Sequence, residues 1–401
     1  MKIRQATEDD FDQILEVTAV SYGFEAEQAR ERYKKKYDDT MDEEFVVEVD
    51  GKITSKARNI PLIQNVRGKL IPMAGISMVA SDPISRRKGH VRKLMEYLVR
   101  EMYKDDLNVS TLYPFKDTFY AKFGYVNVNP YTQLIFNPSQ LRKWKTLPEG
   151  YSIKRMNNEE SFEIYKKIHE EFIGNIHGGV VRGEKRWKEY AENPRVKVAV
   201  VYNAKGKPEG IIRHSIKGFS SGFDWAPEGE INVQEFFYLT NKAKIALLNY
   251  LYSYCDQIVK VMLPIYPETS EIYTWLDNFF IAEIKSQNIW MARVIDVKKT
   301  LQDLPTESDE EITFKVVDPL IEANNTVFQI AGNKKKITVK ESKEKSATIE
   351  LTIEGITALV YGLLTAEELE YFGWIKGASD ATNKILDNFF PLKVGFLSEG
   401  F

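Results

Sequence analysis

The sequence holds one cysteine, Cys255, among 401 residues. No intramolecular disulfide can form, and a cysteine-rich metal site is excluded. The four histidines, His90, His169, His177 and His214, are not spaced as a helical metal-binding pair, so no metal site is expected. No segment approaches the roughly 20 apolar residues needed to cross a bilayer. The opening MKIRQATEDDFDQ has no apolar stretch of the signal-peptide kind, so the expectation is a cytoplasmic protein with no membrane partner. A basic excess is also missing: the formal net charge is -3, which argues against a nucleic-acid partner. Hydrophobic residues make up 43%, enough for ordinary cores, and this length suggests two to four domains of roughly 100–200 residues each.

The first third reads as β-α-α-β-β-β-α-β-α-β. Thr7 is placed to cap a helix over Glu8 to Gly23, with Asp10 three positions on. Asp50-Gly51 and Arg67-Gly68 mark hairpin turns between alternating strands. A strand from Leu70 to Ala80 runs into the loop SDPISRRKGH and a helix to Lys104. Antiparallel hairpins followed by one β-α-β crossover differ from a doubly wound fold, which alternates strand and helix throughout.

The middle third repeats this plan. KLMEYLVREMYKDDLNVSTLYP begins at Lys93 and ALLNYLYSYCDQIVKVMLPIYP at Ala246. At that offset Leu94, Tyr97, Leu98, Tyr113 and Pro114 meet Leu247, Tyr250, Leu251, Tyr266 and Pro267 without a gap. The last third has strands over Ile312 to Ile353 and then helices to Phe389, an α+β order. The expected domains are 1–130, 131–290 and 291–401.

Chemistry concentrates in SRRKGHVR. A helix N-terminus offers free N–H groups and a partial positive charge, Gly89 frees the backbone to approach a phosphate, and Arg86, Arg87, Lys88 and Arg92 add four cations. This composition suits a pyrophosphate. The same register in the repeat holds Leu239, Lys242 and Lys244, with no glycine, so only the first copy is expected to bind one.

Arg86-x-x-Gly89-x-Val91 after GISMVAS resembles the acyl-CoA signature of the GNAT acetyltransferases, although Val91 stands where Gly or Ala is usual. FYAKFGY, with Tyr120 and Gly124, resembles that family's second signature. RRKGxxR followed by LYPFKDTFYAKFGY, together with WMARVIDVKKTL and a closing phenylalanine, resembles the enhanced intracellular survival (Eis) acetyltransferases. The resemblance implies tandem GNAT domains, each a mixed sheet with flanking helices, followed by a sterol-carrier-protein-like α+β domain. The central GNAT-like domain would lack the CoA motif.

The activity so implied is N-acetyl transfer from acetyl-CoA to an amine, carried by a small molecule such as an aminoglycoside or polyamine, or by a lysine side chain. Val79, Ala80 and Ser81 would meet the pantetheine arm. Arg87, Lys88, Gly89, His90, Val91 and Arg92 would hold the pyrophosphate, with Phe115 and Lys116 beside the cofactor. Tyr120 would be the general acid, its phenol near a pKa of about 10 and a thiol near about 8.5. The α-carboxylate of Phe401 would be the base. Phe24, Glu25, Tyr33 and Glu399 would flank the acceptor. The resemblance also implies a homo-oligomer, a hexamer in relatives. A non-catalytic lipid-binding or scaffolding protein on a vestigial GNAT fold is the alternative.

Overall fold

The computed structural model describes residues 1–191, 196–218, 229–267, 270–287, 289–342, 347–397 and 399–400. Thr7 and Asp10 form the expected capping box, but the chain first makes one 3-10 turn, Glu8–Asp10, before the α-helix begins. The first segment contains β1 (Lys2–Gln5), α1 (Phe11–Tyr22), α2 (Ala26–Thr40), β2 (Glu44–Val49), β3 (Lys52–Val66), β4 (Lys69–Ser81), α3 (His90–Lys104), β5 (Val109–Leu112), α4 (Asp117–Tyr120) and β6 (Val126–Asn127).

The second segment contains β7 (Tyr131–Phe136), β8 (Ser152–Met156), α5 (Asn158–Ile173), β9 (Val180–Val181), α6 (Glu184–Ala191), β10 (Lys197–Tyr202), β11 (Pro208–Lys217), β12 (Gly229–Tyr238), α7 (Asn241–Tyr252), β13 (Ile258–Pro264) and β14 (Glu283–Gln287). The third contains β15 (Met291–Val294), α8 (Val297–Leu301), β16 (Glu311–Val317), β17 (Val327–Gly332), β18 (Ile337–Glu341), β19 (Ile349–Thr352), α9 (Ile353–Tyr361), α10 (Ala366–Tyr371), β20 (Ile375–Lys376) and α11 (Asp380–Phe389). Part of the Lys340 to Lys345 stretch, read from the sequence as a charged hairpin, lies outside the described residues.

These segments make two compact units, Met1–Asn129 with Ile289–Phe401, and Pro130–Asn288. In the first unit a sheet runs β1-β2-β3-β4-β5-β15-β6. β4 and β5 are parallel, joined by α3, whose Leu94, Met95, Leu98, Val99 and Met102 are buried. That helical spacing puts one apolar face on the sheet. Burying each such side chain contributes about 1.5–3 kcal/mol relative to leaving it in water.

β15 comes from the segment that the sequence reads as opening the last domain. It lies antiparallel between β5 and β6. All four of its residues are buried, which needs cover on both faces of the sheet, and α9 packs against β15. In the second unit the sheet runs β14-β7-β13-β12-β11-β10-β8, and β12 and β13 are the parallel pair around α7. The β-α-β crossover seen at the 153-residue offset therefore recurs in three dimensions. Each sheet takes the neighbour of its crossover strand from outside the repeat register, β15 in one and β7 in the other.

A third sheet, β18-β17-β16-β19-β20, carries α9, α10 and α11. Its attachment to the first sheet is specific. The β3–β4 turn residue Arg67 has a left-handed backbone with φ 55°, and its buried guanidinium donates to the carbonyls of Val360 (2.7 Å), Leu359 (2.8 Å) and Pro391 (2.8 Å). Burial lowers its pKa to about 10.

Candidate active site

The two parallel strands part after four residues. β4 pairs β5 only over Met73–Ile76, and β4 then carries a bulge opposite Lys56–Arg58, with Met78 in the left-handed region at φ 50°. A bulge bends its strand and turns the backbone away from its neighbour. β5 meanwhile ends at Leu112 and turns at Tyr113-Pro114. The gap opens into a cleft of about 1210 Å³.

One wall is the outer part of β4, including Val79, Ala80 and Ser81. While its own hydroxyl meets Ser55 Oγ and the Thr54 carbonyl of β3, the Ser81 backbone is turned away from β3, its amide and carbonyl bonding the Ser21 hydroxyl at 3.2 and 3.1 Å. By alternation Val79 faces the same way, and its carbonyl accepts from the Tyr22 hydroxyl at 3.4 Å. The Ser77 hydroxyl, also in the lining, is buried with no hydrogen-bond partner among the described residues.

A second wall is the loop into α3. Arg87, Lys88, Gly89, His90, Val91 and Arg92 all line it. Arg87 and Gly89 adopt φ 63° and 84°, which curls the loop so that α3 begins with no side-chain cap. Nothing lies within 4 Å of a Cβ built on Gly89. Its backbone angle therefore requires glycine here, while the room expected for a phosphate is present as well. His90 Nδ1 lies 2.9 Å from the Thr54 hydroxyl. Partial burial, with Lys88 and Lys93 nearby, holds its pKa below the ordinary value, so the loop's positive charge is that of its arginines and lysine.

The third wall is aromatic. Phe115, Phe119 and Tyr120 line the cleft with ring centroids 5.1–5.4 Å apart, and Lys116 lies between them in sequence. Tyr120 is only 2% exposed, yet its hydroxyl has no hydrogen-bond partner among the described residues. Neighbouring Tyr125, by contrast, shares a 2.7 Å bond with Ser110. Burial raises the Tyr120 pKa well above its ordinary value, Tyr125 and Tyr22 adding to this. The expectation of a phenol near 10 is corrected accordingly: this hydroxyl stays a proton donor at every physiological pH.

The glycine of FYAKFGY has a separate reason. Gly124 has φ 81°, and a Cβ there would stand 2.7 Å from Ile353 Cγ2 of α9 and 3.5 Å from Arg293 Cζ. Arg293, on β15, is fully buried with Asp318, their nearest atoms 2.8 Å apart. The turn that carries Tyr120 is thus packed directly on the C-terminal segment.

The acceptor-side expectations fare differently. Tyr33 lines a second, smaller cavity, Phe24 stacks on it at 5.1 Å, and Glu25 is the residue before α2. Glu399 is buried in the tail and lines neither space. The tail still reaches the site: Gly395 donates to Asn129 at 2.7 Å, and the Leu397 carbonyl lies 3.5 Å from the hydroxyl of Tyr113 in the cleft wall. Phe401 lies outside the described residues. Ser21 and Tyr22 are cleft residues that the sequence reading missed, because the end of α1 carries no motif.

The repeat supplies a contrast. α7, the counterpart of α3, is capped by Thr240, whose hydroxyl accepts from the Ala243 amide at 3.1 Å. Lys244, at the position of Val91, is buried and paired with Glu271. The helix start that is left open in α3 is thus filled by the protein's own side chains in α7.

Residues 2–127 match the family model of an acetyltransferase (GNAT) domain. Residues 178–294 match a second GNAT model, and residues 297–397 match that of a sterol carrier protein domain. The fold is tandem GNAT followed by a sterol carrier domain. Solved structures of the same fold span the whole chain: a GCN5-related N-acetyltransferase from Anabaena variabilis (TM-score 0.87, 19% identity, 100% of each chain); a probable N-acyltransferase from Enterococcus faecalis (TM-score 0.84, 22% identity, 100% of this chain and 99% of that one); and Eis1 from Mycobacterium abscessus (TM-score 0.80, 18% identity, 100% of each). The N-acetyltransferase Eis of Mycobacterium tuberculosis is 26% identical over 124 residues, 30% of this chain. That match spans 31% of the relative's length, so the relation to Eis-type proteins is one of low identity. Among the described residues, no helix is long and apolar enough to cross a membrane.

Proposed function

We propose that this chain transfers the acetyl group of acetyl-CoA to an amine. The observation that carries this is the cleft where β4 and β5 part. It joins an uncapped, cation-rich helix start to the hydroxyl of a buried tyrosine, Tyr120, that has no hydrogen-bond partner among the described residues. The α3 amides and Arg87, Lys88 and Arg92 would take the pyrophosphate. The outward backbone of β4 at Val79 would pair with the pantetheine arm, and Phe115 and Lys116 would cover its far side. Tyr120 would donate to sulfur as the carbon–sulfur bond breaks. Its raised pKa keeps the proton in place until negative charge develops there.

The carboxylate of Phe401, assigned as base by resemblance to the Eis acetyltransferases, would arrive along the tail that passes Tyr113. The central domain, with its filled helix start, would bind no CoA. A non-catalytic scaffold would show neither acetyl-CoA binding nor release of the CoA thiol.

Acetyl-CoA should raise the melting temperature of the intact chain, because a ligand that binds only the folded state stabilises it. R87E/K88E should weaken acetyl-CoA binding by roughly tenfold or more, since each charge-assisted contact is worth about 1.5–3 kcal/mol. No thermal shift of the wild type at saturating acetyl-CoA would rule the reading out.

A further inference from the structure

The end of α1 and the outer edge of β4 meet in the cleft, where Ser21, Tyr22, Val79 and Ser81 all line the wall. Three backbone groups of that edge are already in use. The Ser81 amide donates to the Ser21 hydroxyl at 3.2 Å. The Ser81 carbonyl accepts from the same hydroxyl at 3.1 Å and from Arg86 Nε at 3.4 Å. The Val79 carbonyl accepts from the Tyr22 hydroxyl at 3.4 Å. An amide has one proton and a carbonyl two lone pairs. The Ser81 backbone therefore has nothing left to offer a ligand while Ser21 stays in place.

The turn that makes these bonds lies between two anchors. On one side α1 is fixed through Ala19, its last fully buried residue. On the other, Phe24 stacks on Tyr33 of α2 at 5.1 Å and packs on the core beneath it. Between them the apolar face lapses: Val20 is 50% exposed and Tyr22 53%. Gly23 ends the helix with φ 74°, and nothing lies within 4 Å of a Cβ built there. α2 then starts at Ala26 with no side-chain cap. Opening this last turn uncovers no core, and terminal turns of that kind open at little cost.

We infer that Ser21 and Tyr22 gate the cofactor cleft: in the free protein their hydroxyls occupy the strand edge that the pantetheine arm needs, and acetyl-CoA binds by displacing the turn that carries them. The inference rests on the cofactor site proposed above. The arm is a chain with two amides, and it pairs with a strand edge by accepting from an N–H and donating to a C=O. The Ser21 hydroxyl does both at Ser81, so it stands in for one such amide. Tyr22 covers the next carbonyl along the edge. Arg86 shares the Ser81 carbonyl, so the gate is also tied to the loop that would hold the pyrophosphate. The polar edge thus stays paired when the cleft is empty, and the arm enters by exchange of hydrogen bonds.

The test measures acetyl-CoA affinity by titration calorimetry on the full chain. S21A/Y22F removes both hydroxyls and keeps the bulk of the turn. It should bind acetyl-CoA more tightly than wild type by roughly tenfold, the worth of one to two ordinary hydrogen bonds. If the double variant melts below the wild type, S21A alone, which frees both Ser81 groups, should shift affinity the same way in smaller degree. Hydrogen exchange on the wild type gives the second readout: with saturating acetyl-CoA, amides of residues 20–25 should exchange faster while those of residues 87–92 slow. If the hydroxyls instead braced β4 for the cofactor, both signs would reverse. Affinity that is unchanged or weaker in the variants, or exchange at residues 20–25 that is no faster, overturns the inference and leaves the cofactor site intact. A wild type that binds no acetyl-CoA removes the cofactor site itself.

Discussion

Tyr120→Phe should lower kcat by about 10²-fold or more, the range of a positioned general acid, and leave acetyl-CoA affinity within a factor of about two. The substitution deletes one oxygen from a ring that is otherwise packed against Phe115, Phe119 and Tyr125, so the wall of the cleft stays. That hydroxyl makes no hydrogen bond within the described protein, so its loss strands no partner. Stability should therefore hold while turnover falls. The pH profile gives a second check. Burial raises the Tyr120 pKa, so this group should produce no fall in wild-type kcat up to about pH 10, the ordinary tyrosine value. A loss of acetyl-CoA binding in place of turnover would reassign Tyr120 to the cleft wall.

Asp318→Ala should destabilise the chain by about 3–5 kcal/mol, the cost of leaving one member of a buried ion pair unpaired. Asp318 accepts from Arg293 Nη2 at 2.8 Å, from Asn324 at 2.9 Å and from the Leu320 amide at 2.9 Å. Arg293 is fully buried on β15, between β5 and β6, and has no water to turn to. Denaturant unfolding would measure the loss. R293M/D318N separates charge from hydrogen bonding, because the amide oxygen can still accept from Leu320 and Asn324 while no charge is left unpaired, and it should recover part of the stability. The site feels the same contact, since Arg293 lies beneath Gly124 at the end of the turn that carries Tyr120. A single variant as stable as wild type would show that this pair does not join the segments.

What could be read from the sequence was local. RRKGH could be identified as an anion loop because cations, glycine and a helix start lie within a few residues. FYAKFGY could be identified because its four aromatic residues and its glycine lie within seven positions. The long strands β3 and β4 followed from alternation and their turn residues. β15 could not be assigned to its sheet, because four residues buried on both faces carry no alternation that says which strands flank them. The packing role of Gly124 depends on Ile353 of α9, more than two hundred positions away.

The smaller cavity beside Tyr33 was missed for a different reason. Lys56 and Arg58, which line it, stand two apart in ITSKARN, an ordinary pattern for a strand with one wet face. Only the placement of α1 and α2 over that face buries them. A paired Lys-x-Arg in a strand expected beneath two helices was the signal available. The filled start of α7 was half visible: the missing glycine showed in the register, and Thr240 as its cap needed only the N-cap rule.

The proposed reaction requires one acetyl-CoA between β4 and β5 with its sulfur at Tyr120. A crystal structure of the chain with CoA tests this most directly. The pyrophosphate should lie on the amides and side chains of residues 87–92, and the sulfur within about 3.5–4 Å of the Tyr120 hydroxyl, the reach of a sulfur hydrogen bond. CoA bound at α7, or bound in the cleft with its sulfur far from Tyr120, would contradict it.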